Sequence, residues 1–372
     1  MKRVFAILLS ALLVLSTAGC TAPTPQPTET VPPTTQPEVE VITDEIRAQW
    51  DAILEENKYE GIVYLTHNGE VVYQSVTGTN DLGEPLTADS PVFICSVSKQ
   101  FCAAAILMLR DQGKLSLDDT LDKYFPECPH GEKVTLRHLL TMRSGLAWDF
   151  DLALVDPDQY TDKTGEEVRD ILVDWVLTEP LLFEPDTDFA YCNVNALLLS
   201  LVVEQVSGEC YEDFIRQNFL EPLGMNHTGF MNEVESNPQW GLIIEREYER
   251  SDIVQGAGDM VSSAADMDRW MTALGSGQVI CEESYLEMTT DYTPGPITNY
   301  GYCMQGGPGT GWGHGGANIK QYTGYCYFNR DYGYNLFVFT GQTPSYFPKQ
   351  SETVKTEFLR ILLGALDAAA QG

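Results

Sequence analysis

Ser96 and Lys99, a serine and a lysine three residues apart, are the pair in this chain best suited to covalent chemistry. They stand just before an apolar run, Cys102–Leu109, which predicts a buried helix that ends near Gly113. Residues three apart share a helical face, so the two side chains can touch. Burial lowers the pKa of a lysine, which lets it take the proton of a serine hydroxyl. The spacing therefore predicts a nucleophile beside its base, with the helix N-terminus facing a developing oxyanion.

The pair alone also fits a serine helix cap followed by a solvated lysine, so partner groups are needed. Tyr191 and Asn193 stand just before a predicted helix and are candidates for proton transfer and for binding a substrate amide. A turn tyrosine and a capping asparagine fit that pattern equally well. The glycine-rich segment 311–317 contains His314 and lets a ligand or another backbone approach closely. It also matches a dinucleotide-binding fingerprint but lacks the strand–turn–helix context that such a site requires.

Periodicity and turn signals predict the elements that position these residues. Asn68-Gly69 separates two β-rich runs and predicts a hairpin. Strands near both chain ends, with a mainly helical region at about 116–250, predict an α/β (α+β) fold in which helices flank one sheet. The predicted helices are 43–58, 136–142, 166–177, 194–206, 211–219 and 351–368. The predicted strands are 62–66, 71–75, 301–305, 322–328 and 334–339.

The N-terminus has the features of an export signal. Lys2 and Arg3 precede a short apolar run that ends in small residues, followed directly by Cys20. This resembles a bacterial lipoprotein signal with lipid added to Cys20, although Thr17 stands where leucine is usual. An ordinary secretory signal is the alternative, in which case the protein is secreted.

Composition divides the remaining chain into two parts. Residues 20–42 are rich in threonine and proline and predict an extended tether, after a signal peptide at 1–19. Residues 43–372 then form the folded domain, with the helical insertion at about 116–250. We expect an extracytoplasmic protein that a lipid on Cys20 anchors to the cell membrane.

Charge, cysteine and histidine patterns narrow the function classes. A formal net charge of −32 argues against nucleic-acid partners. Eight of the nine cysteines remain if one is lipidated, and we expect buried free thiols, with disulfides as the open alternative. The five histidines show no metal-ligand spacing, so neither metal nor cofactor is expected. The Gly-x-Ser-x-Gly elbow of α/β-hydrolases is absent.

The order Ser-x-x-Lys, Tyr-x-Asn, His-x-Gly resembles the serine β-lactamase and penicillin-binding-protein superfamily. The similarity points to the branch of class C β-lactamases and D-alanyl-D-alanine carboxypeptidases, and it spans roughly 45–365. Further segments resemble landmarks of that family: 117–121, 136–141, 144–146, 221–225 and 256–258. The resemblance implies a β-lactamase/transpeptidase-like fold, with an antiparallel sheet built from both chain ends and flanked by helices.

The resemblance also implies roles for individual residues. Ser96 is the acylated nucleophile, Lys99 its activating base, and Tyr191 a participant in proton transfer; whether Lys99 or Tyr191 is the true base stays open. The oxyanion hole consists of the backbone N–H groups of Ser96 and Ala317. Substrate binding is assigned to Asn193, His314, Gly316 and Ala317.

Two departures from the family pattern shape the expected function. Cys192 replaces the commoner serine of the second motif, and His314 stands where β-lactamases have lysine. The lost cation removes a contact to a substrate carboxylate. We therefore expect a serine hydrolase of D-amino-acid peptides (such as cell-wall peptides) or esters, with slow β-lactam turnover. The alternatives are a β-lactamase proper and a non-catalytic surface-binding lipoprotein. A rival third motif at 227–229 is rejected, because it ends a helical stretch and matches a Gly-Met-x-x-Thr landmark of the family, not a strand edge. Oligomeric state is not predicted.

Overall fold

A computed structural model describes residues 41–80, 82–146, 162–234, 240, 251–293, 299–307, 309–318, 322–340 and 349–371. The predicted export signal, Cys20 and nearly all of the tether lie outside these ranges. None of the helices within them is both long and apolar enough to cross a membrane.

Most strands lie near the two ends of the described chain, and the region between them is mainly helical. The helices are α1 Asp44–Glu56, α2 Lys99–Asp111, α3 Leu136–Leu140, α4 Gly165–Thr178, α5 Asn193–Ser207, α6 Tyr211–Ile215, α7 Glu221–Leu223, α8 Met231–Val234, α9 Ala264–Gly275, α10 Glu282–Met288 and α11 Lys349–Gln371. The strands are β1 Gly61–His67, β2 Glu70–Thr77, β3 Val92–Phe93, β4 Gly229–Phe230, β5 Met260–Ser262, β6 Gln305–Gly307, β7 Gly311–Asn318, β8 Tyr322–Asn329 and β9 Tyr334–Thr340.

One six-stranded antiparallel sheet joins the two ends of the chain, in the order β2-β1-β9-β8-β7-β6. Leu65 of β1 lies opposite Leu336 of β9, so the N-terminal hairpin pairs directly with the last strand. Asn68 and Gly69 connect β1 to β2 with φ of 51° and 82°, the positive values that a tight hairpin turn of this type requires. The predicted fold, with its sheet built from both ends and its helical insertion, is confirmed.

The two faces of this sheet bury different cores. Successive side chains of a strand point to opposite faces, so Leu336 and Val338 of β9 join one core, while Phe337 and Phe339 join the other. The outer core is covered by α1 and α11, where Trp50 stacks on Phe358 at 5.2 Å between ring centroids. The inner core is larger and contains α2 and α5.

Helices α2 and α5 form the centre of the inner core because both are apolar on nearly every face. Residues 101–107 of α2 and 194–203 of α5 are all buried. A helix that is apolar all round is stable in water only when other elements enclose it. The packing of α2 against α5 brings the N-terminal ends of both helices to one place.

Some predicted elements differ from the structure. The strand predicted at 301–305 is wrong: residues 301–304 form a turn in which Cys303 has a φ of 51°, and β6 begins at Gln305. The glycine-rich segment at 311–317 is itself a strand, β7. A second sheet, with strand order β3-β5-β4, was not predicted, because strands of two or three residues are too short to show periodicity. Gly229 of the rejected rival motif lies in β4, so the expectation that this motif avoids a strand edge is wrong.

Candidate active site

Ser96 lies in a short 3₁₀ turn, Cys95–Ser98, that leads into α2. Cys95 has a φ of 45°, in the left-handed region that residues other than glycine rarely adopt. The chain therefore bends sharply just before Ser96. The hydroxyl of Ser98 donates to the Cys95 carbonyl at 2.7 Å and accepts from the backbone N–H of Met260 at 3.2 Å, which ties this bend to β5. Ser96 is half-buried.

Lys99 is completely buried, and its ammonium position is surrounded by oxygen atoms. Its Nζ lies 3.1 Å from Ser96 Oγ, 2.6 Å from Asn193 Oδ1 and 2.6 Å from the carbonyl oxygen of Ala257. A neutral amine has two N–H donors and one lone pair. The two amide oxygens can take both donors, which leaves the lone pair for the Ser96 hydroxyl. This arrangement suits a base acting on Ser96.

Tyr191 and Asn193 reach the site because they stand at the N-terminal end of α5. Asn193 is the first residue of that helix, and Tyr191 lies two residues earlier. Lys99 Nζ sits 4.9 Å from the centroid of the Tyr191 ring, close enough for a cation–π contact when the lysine is charged. Cys192 is buried at 1% exposure, so the residue that departs from the usual serine lies within the core.

Strand β7 closes the site on the other side. A Cβ atom added to Gly316 would lie 2.2 Å from the carbonyl oxygen of Ile94, so only glycine lets β7 approach the turn that carries Ser96. Strand β6 pairs with β7 only at residues 311–313. Beyond that point, no described strand covers this edge of β7, and Ala317 is exposed there. An uncovered strand edge offers backbone groups to an extended substrate.

His314 is buried at 1% exposure, underneath the site. Burial, together with the positive charge of Lys99, lowers the pKa of His314 to about 3, so the ring is neutral. Nδ1 lies 2.5 Å from the carbonyl oxygen of Gly315, which can only accept, so Nδ1 carries the proton. Nε2 therefore accepts from the hydroxyl of Tyr300 at 3.2 Å. The centroid of the His314 ring is 5.9 Å from that of the Tyr191 ring, so this neutral histidine packs against the tyrosine.

The structure thus brings Ser96, Lys99, Tyr191, Asn193, His314 and Gly316 together, with Ala317 at the adjoining strand edge. Sequence reasoning missed three residues that belong with them. The Ala257 carbonyl holds Lys99, the Tyr300 hydroxyl donates to Nε2 of His314, and Asp259 lies buried on the same loop as Ala257. The sequence did offer a signal for Asp259, an acidic residue inside the otherwise apolar and glycine-rich segment 256–261.

The rival motif has a structural task. The Thr228 hydroxyl is buried and hydrogen-bonds Ser262 and the Asp266 carboxylate, and the backbone N–H of His227 also donates to Asp266. The side chain of His227 is substantially exposed. These contacts fix the start of α9.

All eight cysteines within the described ranges have free thiols, as expected. The expectation that they are buried holds for six of them, whereas Cys210 and Cys281 are exposed. Burial raises the pKa of Cys102 and of Cys303, which keeps both of these thiols protonated next to the site.

Comparisons with known proteins agree with this geometry. The family model described as "Beta-lactamase" matches residues 46–356. The putative penicillin-binding protein PbpX of Bacillus subtilis (strain 168) is 30% identical over 283 residues, which are 72% of this chain and 68% of that protein. A solved structure of an octameric penicillin-binding protein homologue from Pyrococcus abyssi aligns with a TM-score of 0.72 and 27% identity, covering 86% of this chain and 77% of that one. A D-amino acid amidase from Ochrobactrum anthropi SV3 aligns with a TM-score of 0.68 and 25% identity, covering 85% and 99%.

The family match covers most of the chain, and the fold and the order of the three motifs agree with it. The chain therefore belongs to the beta-lactamase family and has the class C-like serine hydrolase fold that penicillin-binding proteins share.

Proposed function

We propose that this serine hydrolase cleaves D-amino-acid peptides, amides or esters through an acyl-enzyme on Ser96. One observation carries the proposal: the buried Lys99 amine lies 3.1 Å from Ser96 Oγ while two amide oxygens occupy its other hydrogen-bonding positions. A lysine held in this way is oriented toward the serine hydroxyl.

The reaction follows from these positions. As Ser96 Oγ attacks the substrate carbonyl carbon, its proton passes to Lys99, directly or through Tyr191. The negative charge that develops on the carbonyl oxygen is stabilised by the backbone N–H groups of Ser96 and Ala317. The proton then moves to the leaving nitrogen or oxygen, and the bond between that atom and the carbonyl carbon breaks. Water attacks the ester on Ser96, gives up a proton to the same base, and releases the acid and the free serine.

The substrate class follows from His314 and from the relatives. Because the buried His314 is neutral, it supplies no cation for a substrate carboxylate at the position where β-lactamases have lysine. A D-amino acid amidase is among the similar structures, and PbpX is described as a putative penicillin-binding protein. We therefore place amides, peptides and esters ahead of β-lactams, whose turnover we expect to be slow.

Intact-mass spectrometry of residues 43–372 tests the proposal, with a fluorophosphonate and a penicillin as separate probes. We expect a single fluorophosphonate adduct on wild-type protein and none on Ser96→Ala. Lys99→Ala keeps the nucleophile but loses the base, so its labelling rate should fall by at least ~10²-fold.

Three outcomes would contradict parts of this proposal. Folded protein that gives no adduct with either probe would favour a non-catalytic binding protein with the same fold. Normal labelling of Lys99→Ala would place the base elsewhere. Rapid penicillin turnover would favour a β-lactamase.

We also propose that a lipid on Cys20 anchors the protein to the extracytoplasmic face of the membrane. The basic, apolar and small-residue pattern before Cys20 and the threonine- and proline-rich segment after it support this. Radiolabelled palmitate should enter the full-length chain in a bacterial host, and Cys20→Ser should abolish that incorporation. Equal incorporation into both would refute the anchor at this position.

A further inference from the structure

A second ionisable group, Asp259, lies buried on the loop that holds Lys99. Its side chain is 2% exposed and stands two residues after Ala257, whose carbonyl oxygen accepts from Lys99 Nζ at 2.6 Å. The loop is pressed against α2. A Cβ added to Gly256 would lie 3.2 Å from Cys102 Sγ, and Cys102 is one helical turn beyond Lys99. The carboxyl group is therefore fixed close to the catalytic lysine without touching Ser96.

The surroundings of Asp259 do not favour a carboxylate anion. Neither carboxyl oxygen makes a hydrogen bond of normal geometry to the described residues, and the backbone N–H groups of Gly256 and of Asp259 itself face it only loosely. A buried carboxylate without strong hydrogen bonds is costly, so such a group tends to keep its proton.

Within the described ranges, ionisable neighbours of Asp259 come from two helices. Helix α2 contributes Lys99 and Cys102, and α6 contributes Tyr211 and Glu212. Burial raises the pKa of Asp259 to about 7; Glu212 acts in the same direction, whereas Lys99 opposes it. Tyr211 and Cys102 are neutral, because burial raises the pKa of each. Lys99 is therefore the one cation among these neighbours.

We propose that Asp259 sets the pH range in which Lys99 can act as a base, by deciding how tightly the lysine holds its proton. While the carboxyl is neutral, it places no negative charge beside Lys99 that would oppose the loss of the lysine's proton. Once the carboxyl ionises, its negative charge stabilises the ammonium form of Lys99. The inference rests on the proposed function, because it assigns the proton of Ser96 to Lys99.

The number of protons that Asp259 and Lys99 hold together predicts the direction in which Asp259 shifts the pH dependence. A charged pair, ammonium plus carboxylate, holds as many protons as a neutral pair, amine plus carboxylic acid. Only the neutral pair, or the doubly deprotonated pair at higher pH, contains the amine that can accept a proton from Ser96. Replacing the carboxyl by an amide removes the charged pair, so amine forms in a single ionisation at lower pH.

The test is the pH dependence of fluorophosphonate labelling of Asp259→Asn, measured by intact mass from pH 5 to pH 9. We expect the acid limb of the profile to move to lower pH, so that near pH 6 to 7 the variant reacts up to roughly tenfold faster than wild type, equivalent to about one pH unit. At pH 9 the two rates should converge. A matched control is Asp268→Asn, because Asp268 accepts from Thr66 and Asn335 on β1 and β9, away from the lysine. Its profile should follow wild type.

An unchanged acid limb in folded Asp259→Asn, or a shift to higher pH, would overturn the inference. Absence of labelling in wild type would instead refute the proposed function, so the two failures are distinguishable.

A second measurement does not depend on the folding of Asp259→Asn. Infrared titration of ¹³C-aspartate-labelled protein follows the carbonyl band of protonated aspartic acid in wild type and in Lys99→Met. Coupling between two ionisable groups is reciprocal. Without the positive charge of Lys99, the Asp259 carboxyl should keep its proton to higher pH, so the last aspartic acid band to vanish should vanish at higher pH in Lys99→Met. An identical titration in both proteins would refute the coupling between Asp259 and Lys99.

Discussion

The two faces of the six-stranded sheet serve different purposes. The outer face is covered by α1 and α11 and is packed with aromatic and aliphatic side chains, including Trp50, Tyr73 and Phe358. The inner face packs against the body that contains Lys99 and Asp259, two buried groups able to carry charge. One side of the sheet is therefore ordinary apolar core, and the other contains polar groups that apolar packing alone would not retain.

This difference between the two faces shows how the fold stays stable with buried ionisable groups at its site. A buried ionisable group destabilises the fold unless hydrogen bonds or opposite charge compensate it, and the left-handed backbone at Cys95 adds strain. Apolar burial contributes about 25 cal/mol per Å² and has no such cost. The outer layer contributes stability without constraining the chemistry, so stability and acylation should respond to different substitutions.

The largest difference between the effect on stability and the effect on acylation should come from Trp50→Ala in the outer layer. Trp50 is fully buried and stacks on Phe358, so truncation should reduce the free energy of unfolding by about 3–5 kcal/mol. Urea unfolding followed by circular dichroism measures this loss. The labelling rate of Ser96 in the folded fraction should stay within about twofold of wild type, and a much slower rate would show that the outer layer also shapes the site.

The next largest effect, this time mainly on rate, should come from Gly316→Ala on the inner side. The new Cβ meets the Ile94 carbonyl, so β7 must move away from the turn that carries Ser96. A displacement of about 1 Å at a catalytic site can cost ~10²-fold in rate. The rate of fluorophosphonate labelling, followed by intact mass at successive times, measures this loss.

The matched control is Gly364→Ala on the exposed face of α11, where a Cβ added to Gly364 would meet no atom within 4 Å. That change should leave labelling intact and stabilise the helix by up to about 1 kcal/mol. Equal labelling rates in both variants would contradict the role of the close approach at Gly316.

Much of the fold was predictable because its signals are local. The hairpin turn at Asn68-Gly69, the apolar runs of α2 and α5, and the short apolar, aromatic-rich run of β9 each specify an element without reference to the rest of the chain. The strand predicted at 301–305 failed for the opposite reason. The turn there depends on Cys303 adopting a positive φ while its N–H donates to the Leu140 carbonyl, a contact made across 163 residues of chain.

The candidate site was predictable where chemistry depends on residue type and spacing. Ser96, Lys99, Tyr191 and Asn193 are all visible as motifs. Ala257 was not, because any residue has a backbone carbonyl and only the fold decides which one meets Lys99. Asp259 was overlooked because an acidic residue in a sequence is usually exposed, and its burial follows from packing of its loop against α2 and α5.

The sequence by itself determined which side chains could act as nucleophile and base, and many of the segments that form helices and strands, because both depend on neighbours a few residues apart. Tertiary structure alone decided that His314 is a neutral support for Tyr191 and not a cation for the substrate. Desolvation in the core and the fixed acceptor at Gly315 set its charge and its tautomer, and both arise only when β7 packs beneath the site.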